Sequence, residues 1–215
     1  MVNHAVSLPL DERNARIVSG RTRHRAAALP PSERRAALID ATVPLLAAQG
    51  TAITTRQIAE AAGIAEGTIF RVFPDKESLV AAAIDQAFDP APAEAELRAI
   101  DLALPLESRL ELAVGILQRR FTSIWRLMTA VGMTKAPVEQ RKESVGRGLP
   151  TGMALAALFE PDRDRICREP LAAAQLLRGL TFAGSHPALL IDGPLEASEI
   201  VGVLLDGIRV RPELP

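Results

Sequence analysis

The sequence predicts an all-α protein: a small N-terminal three-helix domain with a helix-turn-helix, followed by a larger helical domain. Three observations predict it. Alanine and leucine dominate, aromatic residues are only 3% of the chain and tyrosine is absent; that composition favours helices over the aromatic and β-branched runs of sheets. Apolar residues recur at three- and four-residue spacings in one segment after another. Glycines and prolines fall between those segments, where helices stop and start. The expected divisions are a flexible basic arm at 1–30, the helix-turn-helix domain at 31–80 and the second domain at 81–215. The 215 residues suffice for one small core and one larger one.

The arm carries Arg21, Arg23 and Arg25. Such arms enter minor grooves when they bind DNA; the alternative is an idle solvated tail. Leu38, Ile39, Ala41, Val43, Leu45 and Leu46 then give a first helix its apolar stripe, with Arg34 and Arg35 near its start and Gly50 after its end. Pro44 removes one backbone hydrogen bond from that helix, so a kink or local widening is expected there. Thr54 is the expected cap of a second helix, with Gln57 at capping-box spacing. Ile58, Ala59 and Ala62 supply its buried face, and Gly63 allows a turn with positive φ. Residues 65–72 are expected as the next helix, with Ile69 and Phe73 facing inward. Pro74 ends it, and Asp75 caps a longer helix whose first turn holds Lys76 and Glu77. Helix, glycine turn, short helix is the layout that places its second helix in a major groove. A generic amphipathic helix pair has the same local physics.

The string from 54 to 79 resembles the N-terminal domain of the TetR family of transcriptional regulators. Gly50, Thr54, Ile58, Ala59, Ala62, Gly63, Ile64, Gly67, Thr68, Ile69, Phe73, Lys76 and Leu79 match the family pattern at fixed spacing, and the resemblance extends over about residues 32–85. It implies a cytoplasmic homodimer that binds double-stranded DNA at a palindromic operator. It further implies a regulator, with repression as the expected sign, released by a small ligand in the second domain. The implied DNA-binding residues are Arg23, Arg25, Arg34, Thr54, Thr55, Arg56, Glu66, Gly67, Thr68, Phe70, Arg71, Val72 and Lys76. Thr68 and Arg71 are the side chains most expected to contact DNA, Arg71 by a bidentate bond to guanine. Arg56 and Lys76 are expected on phosphates, Lys76 at a helix N-terminus.

Departures from the pattern matter. Ala65 stands at the usual serine cap, forfeiting a bond worth about 1 kcal/mol. Phe70 replaces a usual tyrosine and loses a hydroxyl, while Val72 offers a methyl surface for thymine. Glu66 suits the helix dipole yet repels phosphates unless it accepts from a cytosine amino group.

Beyond residue 80 the chain matches no family strongly, and its helices are read from periodicity. A linking helix runs over 75–88 and ends at Pro90 and Pro92; a charged turn or short helix spans 94–100. A long amphipathic helix follows at 106–131, up to Gly132. Pro137, Gly146, Gly148 and Pro150 break the next stretch. Helices are expected at 153–159, 170–183 and 195–208. The family's ligand site is expected around Phe121, Trp125, Met128, Met133 and Met153, since methionine adapts to irregular apolar sites; ordinary core is the alternative. A small apolar or amphipathic ligand fits that set. Arg119, Arg120 and Arg126 on the same helix would pair an anionic ligand or form a solvated face. The dimer interface is expected at Leu176, Leu180, Val203, Leu204 and Ile208, with intrachain core as the alternative.

Other chemistries find no support. There is no nucleophile elbow, phosphate-cradling glycine loop or zinc spacing, so no catalytic residue, cofactor or metal is assigned. Cys167 is the only cysteine, which excludes an intrachain disulfide and fits a reducing compartment. No apolar stretch approaches the roughly 18 residues of a membrane span, and no apolar signal-peptide core is seen near the N-terminus. Residues 1–80 hold 10 basic and 8 acidic residues, and 81–215 hold 15 and 18. The slight positive excess therefore lies in the DNA-binding half. Two alternatives remain: a DNA-binding regulator without a ligand, and a protein-interaction scaffold whose DNA-binding domain is silent.

Overall fold

The computed structural model describes residues 30–134, 151–190 and 192–209. Arg23 and Arg25, and the breaks at Pro137, Gly146, Gly148 and Pro150, lie outside the described residues. Helix α1 (Pro31–Gln49) runs through Pro44 without interruption. The short α2 (Thr55–Ala61) begins with the expected capping box between Thr54 and Gln57. Gly63 makes the turn at φ +66°. The segment Glu66–Arg71 is a 3-10 helix, where an α-helix over 65–72 was expected. Its bonds run i→i+3, from Thr68 N–H to the Ala65 carbonyl at 2.8 Å and from Val72 N–H to the Ile69 carbonyl at 2.9 Å. The cause is local: Ala65 supplies no capping side chain and Pro74 cuts the segment short, leaving one tightened turn.

Helix α3 (Lys76–Phe88) is capped by Asp75, which accepts from the Ser78 N–H at 2.7 Å. Hydrogen bonds from Ser78 hold the Asp75 carboxyl below its ordinary pKa. Helix α4 (Ala91–Arg98) starts earlier than the expected 94–100. Pro90 and Pro92 both end α3 and open α4, because a proline in a first turn has no N–H to waste. Helix α5 (Leu106–Ala130) is followed, after residues not described, by α6 (151–157) and a 3-10 turn Glu160–Arg165. Helices α7 (Pro170–Ala183) and α8 (Ala197–Ile208) complete the bundle. Among the described residues, no helix is long and apolar enough to cross a membrane.

Two apolar cores result. The first joins Leu38 and Leu46 of α1, Ile53, Ile58, Ile69, Phe73 and Leu79, all almost fully buried, and it also takes in Leu127 of α5. The second is built by Leu110, Val114 and Leu117 of α5 with Leu155, Phe159, Leu177, Ile200 and Leu204. Helix α5 thus belongs to both. Periodicity pointed to α3 alone as the connection; α1 in fact packs on α3 and α5 together.

Two polar anchors lie beneath this packing. Arg109 of α5 is 2% exposed and donates to the carbonyls of Leu158 (3.1 Å), Leu102 (2.9 Å) and Leu104 (2.6 Å) and to Asp162. Arg120, expected at a ligand or in solvent, instead donates to the carbonyls of Phe88 and Asp89, 2.7 Å each, and closes the C-terminus of α3. Burial lowers its pKa, while Asp89 and Glu94 act in the opposite direction.

Candidate nucleic-acid interface

The exposed side of the first core is assembled from the start of α2 and the 3-10 segment. Ile58 and Ile69 are buried beneath it. That leaves Thr54, Arg56, Glu66, Gly67, Phe70 and Arg71 at the surface, with Thr55, Thr68, Val72 and Lys76 half-buried beside them. Phe70 is 53% exposed, a large apolar ring left uncovered among the described residues. Gly67 has open space where a Cβ would sit, so the backbone here is free to approach a ligand closely. Arg56 and Arg71 have no ion-pair or hydrogen-bond partner among the described residues. Arg34 is half-buried in the first turn of α1, beside Arg35, whose guanidinium lies 4.4 Å above the Phe73 ring.

Three side-chain bonds fix this surface. Gln57 Nε2 donates to Gln49 Oε1 at 2.8 Å, tying α2 to the end of α1. Thr55 Oγ1 donates to Glu66 Oε1, tying the start of α2 to the start of the 3-10 segment. Lys76 Nζ donates to the Thr51 carbonyl at 2.9 Å. Sequence reasoning reserved Lys76 for phosphate and missed this internal role, because Thr51 is 25 residues away and shows no motif. Its ammonium keeps two further N–H donors.

The helices beyond α3 distribute the remaining candidates differently from the expected grouping. Phe121 and Trp125 stack with their centroids 5.8 Å apart, and Phe182 and His186 of the α7 end join them at 4.7–5.6 Å. Neither Phe182 nor His186 carried a pocket signal in the sequence. Met128 and Met133 are half-buried. Met153 is 61% exposed, since α6 turns Ala154, Leu155 and Leu158 to the core and Met153 away from it. A cavity of about 450 Å³ opens on another face of α5, lined by Gln118, Arg119, Thr122, Ser123 and Arg126 with Ser185, Pro194, Leu195 and Glu196. None of the five expected ligand residues lines it, whereas two of the three arginines do. Arg119 is paired there with Glu96 at 2.6 Å. Of the expected dimer residues, Val203 (63%) and Leu176 (45%) are exposed and Leu180 is half-buried. Leu204 and Ile208 are 3% exposed and belong to this chain's own core, because the face of α8 they occupy lies against α5 and α7. Cys167 is exposed, its N–H bonded to the Ile208 carbonyl at 2.7 Å.

Comparison with known proteins agrees with this geometry. Residues 38–83 match the family model of the bacterial regulatory proteins of the tetR family. The HTH-type transcriptional repressor KstR of Mycolicibacterium smegmatis is 31% identical over 128 residues, 59% of this chain and 61% of the relative. KstR of Mycobacterium tuberculosis is 35% identical over 88 residues, 40% of each chain. The chain therefore spans less than two thirds of either curated relative. A TetR transcriptional regulator from Streptomyces coelicolor superposes with a TM-score of 0.54 at 22% identity, over 83% of this chain and 99% of that one. A TetR-family regulator from Mesorhizobium loti does so with a TM-score of 0.54 at 19% identity, over 85% and 100%. At such identities the likeness speaks for the fold. Capping box, glycine turn and the helical architecture of the described residues agree with the family match: residues 38–83 form an N-terminal helix-turn-helix domain similar to that of the bacterial regulatory proteins of the tetR family.

Proposed function

We propose that this protein is a sequence-specific DNA-binding transcriptional repressor, acting as a homodimer on a palindromic operator and released by a small molecule bound in its second domain. The observation that carries the reading is the surface formed by Arg56, Gly67, Phe70 and Arg71: exposed, without ion pairs among the described residues, and mounted on a buried apolar core. A solvated helix face has no use for an open glycine and a bare phenylalanine beside two arginines that are unpaired among the described residues. The naming of two relatives as repressors supports the sign of regulation.

In this reading Arg71 contacts a base edge, while Arg56, Lys76 and Arg34 contact phosphates and fix the register. Arg23 and Arg25 of the arm would add minor-groove contacts. The exposed Leu176 and Val203, with open space at Gly202 and Gly207, supply the dimer surface. The cavity along α5 supplies a ligand site, with the aromatic cluster of Phe121 and Trp125 as a second wall on the same helix. Coupling to DNA runs through α5 as well as α3. Arg126 lines the cavity, Leu127 lies in the DNA-binding core, and the Ala130 carbonyl meets Gly50 at the end of α1. A ligand that prefers one position of α5 shifts the spacing of the two recognition segments by its differential affinity for the two states.

The substitution Arg71→Ala is expected to relax base preference at one position of each half-site and to cost about 1–3 kcal/mol. Lys76→Ala is expected to weaken binding to all sequences alike and to flatten the salt slope by about one unit. Titration of both variants against matched and scrambled duplexes at several salt concentrations checks the pair. Unchanged base preference in the Arg71 variant removes it from readout.

A further inference from the structure

An acidic side chain on a DNA-facing surface needs a reason, since it repels every phosphate that approaches. Glu66 is the one acid in the first turn of the 3-10 segment, and it is exposed. It is not spent on charge balance: neither Arg56 nor Arg71 pairs with it. Its Oε1 accepts from the Thr55 hydroxyl, a bond across eleven residues that joins the starts of the two helix-turn-helix segments. That bond orients the carboxylate and occupies one oxygen. Oε2 has no donor among the described residues.

An ionised carboxylate only accepts hydrogen bonds. In the major groove guanine presents two acceptors, thymine an acceptor and a methyl, and adenine an amino donor beside an acceptor. Cytosine alone presents its amino donor without a neighbouring acceptor. The first residues of a recognition segment are those that reach base edges. We infer that Glu66 is a specificity determinant that reads a cytosine in each half-site by accepting from its exocyclic amino group, with Thr55 as the positioning residue. This rests on the DNA-binding reading above.

The test is selection from random duplex DNA by the full-length protein and by three variants, with sequencing of each bound pool. Wild type is expected to enrich a palindrome with one cytosine strongly preferred in each half-site. Glu66→Gln should lose that preference by about 5- to 100-fold and move it towards adenine, which the amide matches with both a donor and an acceptor. Thr55→Val should blur the same position and no other, and Thr55→Ser should restore it. If the Glu66→Gln pool keeps the wild-type base at every position, with only uniformly tighter binding, the acid is a phosphate repeller and the inference fails. If wild type enriches a motif but Thr55→Val leaves it sharp, the positioning role fails. If wild type enriches nothing, the DNA-binding reading falls and takes this inference with it.

Discussion

Arg109→Leu is expected to cost about 3–5 kcal/mol of folding stability, the usual loss when one partner of a buried ionic contact is removed. The guanidinium supplies two carbonyls of the 101–105 loop, the Leu158 carbonyl just after α6 and the Asp162 carboxylate of the 3-10 turn. Leucine fills part of the volume and leaves all four acceptors without their donor. Asp162 would keep only Arg165, at 2.6 Å. Urea unfolding followed by circular dichroism is expected to show a lower midpoint at unchanged slope; an unchanged midpoint contradicts the anchor. The pH dependence follows from the same group. Burial raises the Asp162 pKa, but the hydrogen bonds from Arg109 and Arg165 outweigh it and hold the group below its ordinary value. Its contribution is therefore complete above the ordinary aspartate range near about pH 4 and is lost as pH falls through the lower folded value. In Arg109→Leu the burial remains and the principal donor is gone, so acid destabilisation should begin at higher pH than in wild type.

Gly50→Ala is expected to cost about 2–5 kcal/mol, combining a left-handed residue with an overpacked contact. Gly50 sits at φ +63°, and a Cβ there would lie 2.2 Å from the Ala130 carbonyl oxygen, a backbone atom of α5 that cannot rotate away. Gly63→Ala is the control. Its φ is +66°, but nothing lies within 4 Å of the added carbon, so only the backbone term of about 1–2 kcal/mol applies. Thermal melts of the two variants should therefore separate clearly, with Gly50→Ala the lower. Equal losses would mean that α5 does not press on the end of α1. Because this contact links α5 to the core beneath the helix-turn-helix, Gly50→Ala should, on the proposed function, also weaken DNA binding more than its stability loss explains.

Those two residues mark where the sequence stops being readable. Gly63 announced a turn with positive φ and Gly50 the end of the first helix, because both are local requirements. Only the fold reveals that α5 arrives against one of them. The helix-turn-helix was legible for the same reason: the Thr54–Gln57 box, the Asp75 cap and Pro74 act within a few residues of themselves. Its misread backbone, an α-helix for a 3-10 turn, came from counting apolar spacing where a missing cap and a proline decided the outcome. Further along, periodicity found the stripes of α7 and α8 but not their partners. Val203 and Leu204 are neighbours in sequence; one faces outward and the other the core, and only the position of α5 distinguishes them. Arg109 looked like any charged residue on an amphipathic helix, because its acceptors lie up to 53 residues away. The cavity on α5 was invisible because the α7–α8 connection that walls it has no periodic pattern.

On the proposed function, the helix-turn-helix addresses a specific palindrome as a dimer. Selection of random duplex DNA by the purified wild-type protein, with the bound pool sequenced, tests it most directly. An enriched inverted repeat whose half-sites lie about one helical turn apart is the expected result. Absence of any enrichment at low salt, from protein shown by mass spectrometry to carry no bound small molecule, would contradict it.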